Sequence, residues 1–363
     1  MERLGKGLVT MLSKEEKQQY ARHLLLEEIG KEKQELLKKS SVLVVGAGGL
    51  GCPVLQYLTA VGVGTIGIID PDTVSVSNLQ RQILFTYEDI GKPKAEVAKK
   101  RLELLNPFIK IESYVQSLNA ENALFLFENY DLIIEGSDSF TAKYLTNDAC
   151  VLTGKPFVLG SIFKFEGQLS VYNYQGKATY RCLFPEPMSS AEMPTCSEVG
   201  VLGILPGVVG TLMANEAIKV LTGIGEVLAG KLFKIDLLTL EMSVFEFEKD
   251  PTIEIRTLEL VNVSCQSSTN LQEINFETYK KDENNYNLLD VRTPEERSAF
   301  HLGGIHIPLD ELPNRWEEIP TEKPVVVYCA TGKRSAKAIA FLKEKVLGID
   351  FLNLRGGILG IER

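Results

Sequence analysis

The sequence predicts an α/β protein of two domains: a doubly wound sheet with an antiparallel extension, followed by a smaller α/β domain. Three observations predict it. Short β-branched and apolar runs alternate with helical periodicities over residues 41–159. Strand-like alternation then appears at 161–174 and again at 231–247. After a polar stretch rich in Thr and Ser, a second α/β alternation starts near Leu271.

Taken in order, Ser13 followed by Glu16 forms a capping-box pattern, and the spacing of Tyr20, Leu24, Leu25 and Ile29 predicts one amphipathic helix behind it. A further helical stretch leads to Lys39. The run 41–45 (Ser-Val-Leu-Val-Val) suits a buried parallel strand and ends in glycines. Helices are expected at 53–61, 95–105 and 140–152, and strands at 65–69, 109–115, 131–134 and 157–159. Residues 206–221 form a strongly apolar helix between the two alternating segments. Residues 249–270 read as a linker, which divides the chain into 1–248 and 271–363.

Composition narrows the function classes. With 39 Lys and Arg against 48 Asp and Glu the net charge is -9. That argues against wrapping nucleic acid or lying on an anionic membrane, since both need a concentrated basic face. No apolar stretch of signal-peptide length opens the chain, and no run of about 18 apolar residues occurs. A cytoplasmic protein is expected. The six cysteines include no C-x-x-C pair, so neither a disulfide scaffold nor a zinc site is signalled.

The turn Gly46-Ala47-Gly48-Gly49-Leu50-Gly51 follows a strand and precedes a helix, where backbone N–H groups and a helix N-terminus can meet phosphate. Asp70 ends the next strand, where a ribose hydroxyl would be held, so a dinucleotide dehydrogenase fits this much equally well. Arg81 and Lys94 lie beyond the same strand ends, in Ser77-Asn78-Leu79-Gln80-Arg81-Gln82 and Gly91-Lys92-Pro93-Lys94. A triphosphate needs such cations. Asp138, in Glu135-Gly136-Ser137-Asp138, closes a later strand and could hold magnesium between phosphates.

Over residues 12–247 these motifs, together with 70–82 and with Pro194-Thr195-Cys196-Ser197-Glu198 and Gly200-Val201-Leu202-Gly203, resemble the MoeB/ThiF (HesA) adenylating enzymes, relatives of the ubiquitin-activating enzymes. The resemblance implies a Rossmann-like sheet and a homodimer. It also implies that ATP and Mg2+ are bound by Gly46, Gly48, Gly49, Asp70, Ser77, Asn78, Arg81, Lys94 and Asp138. Arg22, in Tyr20-Ala21-Arg22-His23, matches an Arg that reaches the partner's phosphates, although His23 replaces a common Gln. The partner implied is a small ubiquitin-like sulfur carrier ending in Gly-Gly. Its carboxylate attacks the α-phosphate, a meeting of anions that cations and N–H donors must offset, and no protein nucleophile is required.

Two departures stand out. Relatives hold a structural zinc with two C-x-x-C pairs, whereas Thr179-Tyr180-Arg181-Cys182 keeps one Cys and no second pair follows Phe247. The zinc is expected to be absent, with Cys182 a buried structural thiol. Cys196 matches a loop Cys that can join covalently to the carrier, with a functionless thiol as the alternative. Cys52 and Cys150 sit in helical patterns and read as core; Cys265 has no reactive context. His23, His301 and His306 lack metal-ligand spacing.

In the second domain, Val325-Val326-Val327-Tyr328 ends in Cys329-Ala330-Thr331-Gly332-Lys333-Arg334-Ser335 ahead of a helix. A thiol so placed faces backbone N–H groups at a helix N-terminus beside two cations, all of which favour a thiolate. This loop resembles the active-site loop of rhodaneses, as do Leu288-Leu289-Asp290-Val291-Arg292-Thr293-Pro294-Glu295-Glu296 and His301-Leu302-Gly303-Gly304-Ile305-His306-Ile307-Pro308. The resemblance implies that Cys329 carries sulfur as a persulfide taken from a sulfur donor. The chain ends soon after Asn353-Leu354-Arg355-Gly356-Gly357, so a short last helix is expected, with consequences for stability more than for chemistry.

Together these features point to an ATP-dependent adenylyltransferase with a sulfurtransferase domain, catalytic residues Asp138, Arg81, Cys329 and Cys196, and a thiocarboxylate as product. A molybdopterin-synthase carrier is favoured. A thiamine-type carrier, a non-catalytic carrier-binding scaffold and a dehydrogenase are the rivals.

Overall fold

The computed structural model describes residues 11–186, 200–258, 271–346 and 348–361, and the backbone divides into two compact units between residues 263 and 264.

In the first unit Ser13 caps α1 (Lys14–Gln19): its Oγ accepts from the Glu16 N–H at 3.1 Å, and the Glu16 carboxylate accepts from the Ser13 N–H at 2.7 Å. The expected single helix through Ile29 is not formed. Tyr20 breaks it, and α2 (Ala21–Leu24) and α3 (Gly30–Lys39) follow as separate pieces. Tyr20 is buried, with its hydroxyl accepting from Asn106 Nδ2 at 2.8 Å, while Leu25 is exposed. That long-range anchor overrides the local apolar spacing.

The chain then forms β1 (Ser41–Val45), α4 (Gly51–Val61), β2 (Thr65–Ile69), α5 (Lys94–Leu105), β3 (Lys110–Tyr114), α6 (Ala123–Glu128), β4 (Leu132–Glu135), α7 (Phe140–Thr153) and β5 (Phe157–Phe163). β6 (Glu166–Tyr172), α8 (Tyr180–Leu183), α9 (Ile204–Thr222), β7 (Lys231–Asp236) and β8 (Met242–Glu246) complete the unit. All eight strands join one sheet in the order β3-β2-β1-β4-β5-β6-β7-β8. Its first five strands are parallel and the last three are added antiparallel. β5 outruns its expected end because its second half pairs with β6, up to Phe163↔Glu166. Val42, Leu43 and Val44 are wholly buried, as a strand covered on both faces requires.

Helix α9 is long and apolar enough, by composition, to cross a membrane. Here Leu205, Val209, Met213 and Ala217 are buried in the core. Gly160 and Gly167 let the helix close on the sheet: a Cβ at either would lie 2.4 Å from Met213 Sδ or from Val209 Cγ2.

The second unit comprises β9 (Gln272–Ile274), α10 (Phe276–Lys281), β10 (Asn287–Asp290), α11 (Pro294–Ala299), β11 (Ile305–His306), α12 (Leu312–Arg315), β12 (Val325–Tyr328), α13 (Lys333–Lys345) and β13 (Phe351–Leu354). Its parallel sheet runs β11-β10-β12-β13-β9. The central strand β12 is fully buried, and a 3-10 turn, Ile358–Gly360, stands where a short last helix is expected.

Candidate functional site

In the first unit the strand order reverses between β1 and β4, which pair with each other in parallel while β2 pairs in parallel on the far side of β1, and a parallel sheet opens a crevice at such a switch point. The glycine turn leaves β1 there. Gly46 has φ +90°, and a Cβ on it would press within 3.2 Å of the Ser137 backbone. A Cβ on Gly51 would lie 1.9 Å from the Gly46 carbonyl oxygen, so the turn can enter α4 only without a side chain at that position. Gly48 faces open space, its nearest neighbour being Gln82 Nε2 at 3.9 Å from the Cβ position. Beside Gly49 lie Pro206 of α9 and the stem of Arg81, at 3.1 and 3.5 Å from its Cβ position.

Asp70 is buried and organises this turn. One of its oxygens accepts from the Ala47 N–H at 2.7 Å, and the other from the Asp72 N–H at 2.8 Å. Burial pushes its pKa up, against the pull of Lys94 and the two N–H groups. Each oxygen keeps a lone pair for a ligand hydroxyl. Lys94 is buried, and its Nζ lies 2.9 Å from Asp72 Oδ2, on a carboxylate that is itself 66% exposed. Arg81 Nη1 donates to the Ser77 carbonyl at 2.8 Å, and its guanidinium meets no carboxylate among the described residues. Asn78 Oδ1 accepts from the Ser75 N–H at 3.2 Å, holding the turn that carries Ser77.

Asp138 is exposed and makes no hydrogen bond or ion pair among the described residues. The turn before it is fixed by Glu135, which is wholly buried and whose pKa burial raises. One Glu135 oxygen accepts from the Ser137 N–H and hydroxyl at 2.9 and 2.5 Å, and the other from the Thr146 hydroxyl at 2.8 Å. Glu135 has no role among the sequence expectations, although an acidic residue ending a buried strand is a signal for one. Gln82 likewise carries none; it is buried, and its Oε1 has no partner among the described residues. An unpartnered buried amide oxygen beside an open glycine cradle fits a polar ligand. A single free carboxylate fits Mg2+, which takes one or two carboxylates and completes its shell with phosphate and water. Arg22, exposed on α2, is not among the residues these contacts join.

At the corner where the resemblance implies zinc in relatives and its absence here, Cys182 is half-buried, not buried as expected. Its sulfur accepts from the Thr179 and Asp250 N–H groups, each at 3.4 Å, and lies equally close to the Thr179 hydroxyl. No group of three or more His, Cys, Asp and Glu is placed to hold a metal among the described residues. One thiol ringed by donors does not fit a tetrahedral zinc. Arg181 grips Asp148 with two bonds of 2.7 Å and lies over the Tyr144 ring, while Tyr180 and Phe184 pack together beside them. Leu258 packs against the same core cluster, so residues 249–258 run along the first unit.

Cys52 and Cys150 are core residues, as expected; burial pushes the Cys52 thiol up to about 12 and raises Cys150 as well. Cys196 and Cys265 lie outside the described residues. His23 Nδ1 is bonded to the buried Gln34 at 2.9 Å, and His306 Nε2 donates to the Arg292 carbonyl at 2.8 Å, so both are structural.

In the second unit Cys329 is wholly buried at the end of β12. Its Sγ lies 3.1 Å from the Gly332 N–H and 3.4 Å from Ser335 Oγ. Gly332 takes φ +89° to turn the loop into α13. The expectation that Arg334 favours a thiolate needs correction. Its guanidinium is held by Glu296 at 2.7 and 2.6 Å, so that carboxylate offsets its charge. The Lys333 side chain lies outside the description. The chain end also does more than stabilise: the Ile358 and Leu359 N–H groups donate to the Cys329 and Ala330 carbonyls, both at 2.9 Å, and Gly357 is required because a Cβ would lie 2.4 Å from the Cys329 carbonyl oxygen. Asp290 and Arg292 form a buried bidentate pair, and Tyr328 accepts from the Leu302 N–H and donates to the Gly303 carbonyl. These contacts tie both remaining motifs to the strand that carries Cys329.

A model of the ThiF family matches residues 20–255, and one of the rhodanese-like domain matches 277–363. The chain is 40% identical over 367 residues to MoeZ of Mycobacterium tuberculosis, described as a probable adenylyltransferase/sulfurtransferase, covering 96% of this chain and 93% of that one. To the sulfur carrier protein adenylyltransferase of Thermus thermophilus it is 50% identical over 244 residues, 66% of this chain and 90% of that one. E. coli MccB, solved with ATP, shares the fold at TM-score 0.58 and 23% identity, over 65% of this chain and 73% of that one. The chain therefore belongs to the ThiF family, with a rhodanese-like domain behind it, the two-domain make-up of the adenylyltransferase/sulfurtransferases.

Proposed function

We propose that the first unit uses ATP to adenylate the C-terminal Gly-Gly carboxylate of a ubiquitin-like sulfur carrier, and that the second unit supplies persulfide sulfur to turn the activated carboxylate into a thiocarboxylate. The observation that carries this reading is the convergence of Gly48, Asp70, Arg81 and the Ser137–Asp138 turn at the strand-order reversal, in a chain that matches MoeZ over 96% of its length. The carrier carboxylate attacks the α-phosphorus; the new P–O bond forms as the bond to pyrophosphate breaks. Arg81 and Lys94 offset the phosphate charge, with Asp72 as the exposed partner that Lys94 exchanges for it. Asp138 would hold Mg2+, which would supply positive charge to offset that of the phosphates. Arg22 reaches the partner's phosphates in a homodimer. Cys329 takes sulfur from a donor and holds it as a persulfide; its outer sulfur attacks the acyl adenylate and expels AMP, and a thiol reductant supplies the two electrons that cleave the resulting acyl disulfide into the carrier thiocarboxylate and the Cys329 thiol. A molybdopterin-synthase carrier and a cytoplasmic setting belong to the same reading.

The dehydrogenase alternative leaves Arg81, which meets no carboxylate among the described residues, and the whole second unit without a task. The test of the sulfur step is thiocarboxylate formation on purified carrier with ATP, thiosulfate and a dithiol reductant, read by mass spectrometry. The wild type should exchange oxygen for sulfur. Equal conversion by Cys329→Ser would sink the persulfide role.

A further inference from the structure

Three acceptors surround the single proton of the Ser335 hydroxyl: Asn353 Oδ1 at 2.6 Å, the Gly332 carbonyl at 3.1 Å and Cys329 Sγ at 3.4 Å. All of these side chains are buried, Ser335 and Cys329 wholly and Asn353 to within 3%. Asn353 is fixed in turn, since its Nδ2 donates to the Gly332 carbonyl at 3.2 Å. A neutral thiol leaves the hydroxyl on the amide oxygen, its shortest contact. A sulfur anion at Cys329 is a stronger acceptor, and rotation about the Cβ–Oγ bond brings the proton to it without moving the backbone.

We propose that Ser335 is a second catalytic donor to the Cys329 sulfur, alongside the Gly332 N–H, and that Asn353 is the positioning residue that stores its proton between turnovers. This rests on the sulfurtransferase reading above. With thiosulfate as donor, the Cys329 thiolate attacks the sulfane sulfur; a Cys–S–S bond forms, the thiosulfate S–S bond breaks and sulfite leaves with its electron pair. With cyanide as acceptor, carbon attacks the outer sulfur, thiocyanate leaves, and the electron pair of the Cys–S–S bond returns to Cys329. Negative charge sits on Sγ at the start of the first step and at the end of the second, and both times two buried donors face it. Substituting Asn353 by Asp would fix the hydroxyl on a carboxylate and place a like charge beside the sulfur, with loss of the Nδ2 bond to the Gly332 carbonyl.

The test is the pH profile of Cys329 alkylation by iodoacetamide in the full chain, followed on the Cys329 peptide by mass spectrometry so that the other five cysteines do not interfere. Ser335→Ala should alkylate about tenfold more slowly at neutral pH, its profile displaced to higher pH, with Ser335→Thr restoring the wild-type profile. Asn353→Asp should be displaced in the same direction. Unfolding of the second unit, followed in parallel, should stay near wild type in the two Ser335 variants, while Asn353→Asp, which loses the bond to the Gly332 carbonyl, should be less stable and still unfold cooperatively. Profiles of Ser335→Ala and Asn353→Asp that superimpose on wild type would overturn the proposal, and if Ser335→Ala does not fold, Asn353→Asp alone decides. A wild type that makes no thiocyanate from thiosulfate and cyanide would instead remove the sulfurtransferase reading, with the alkylation result still standing.

Discussion

Glu296 grips Arg334 with both carboxylate oxygens, and through this pair α11 is locked to the loop that carries Cys329. The same carboxylate accepts from the Thr293 N–H in the capping box of α11, so one side chain joins a helix start to the active-site turn. Its hydrogen bonds with Arg334, and then with the Thr293 N–H, draw the Glu296 pKa down to about 2 from an ordinary 4.5.

The sign of that shift sets a pH dependence. A carboxylate with a depressed folded-state pKa contributes stability above its unfolded value, about 4.5, and loses it as pH falls towards 2. The pair is partly exposed, so Glu296→Gln should cost only about 0.5–1 kcal/mol at pH 7, fading through this window. Trp316, the single tryptophan, packs in the second unit, so its fluorescence reports the unfolding that checks this.

Gly51→Ala should abolish ATP binding. A methyl group 1.9 Å from the Gly46 carbonyl oxygen must force the turn open, and with it the Ala47 N–H that Asp70 holds. Isothermal titration with ATP checks it; binding within twofold of wild type would contradict the role given to the turn.

The corner around Cys182 should be indifferent to chelators and sensitive to Arg181. Removing Arg181 leaves Asp148, only 4% exposed, without its ion-pair partner, which should cost about 3–5 kcal/mol. EDTA should leave the unfolding temperature of the wild type unchanged, as differential scanning calorimetry can establish.

Glu135→Gln should lower kcat of adenylation about tenfold or more while leaving the KM for ATP within a few-fold, because an amide cannot accept from the Ser137 N–H, Ser137 hydroxyl and Thr146 hydroxyl as a carboxylate does. Steady-state pyrophosphate release separates the two parameters.

Much of this was legible from residue types alone. Buried parallel strands such as 41–45 and 65–69 show in their apolar runs because both faces are covered, and the glycine turn shows because its backbone has no room for side chains. The break at Tyr20 was hidden because its cause, Asn106, is 86 residues away. The six-residue helix α6 is too short to show a period. Asp70 and Asp138 could be named from their strand ends, but their different states could not: the first is sunk among backbone N–H groups, the second is exposed and bonds to none of the described residues. Arg334 read as a cation beside the thiol until Glu296, 38 residues earlier, supplied its partner.

The most direct test of adenylation is ATP–pyrophosphate exchange by purified protein with candidate carriers ending in Gly-Gly, comparing wild type with Asp138→Ala. Exchange that requires a carrier and falls at least a hundredfold in the variant, as loss of a charge-stabilising group predicts, on the order of 3 kcal/mol, would match the account and name the carrier. Tight carrier binding without exchange, or equal exchange in wild type and variant, would contradict it.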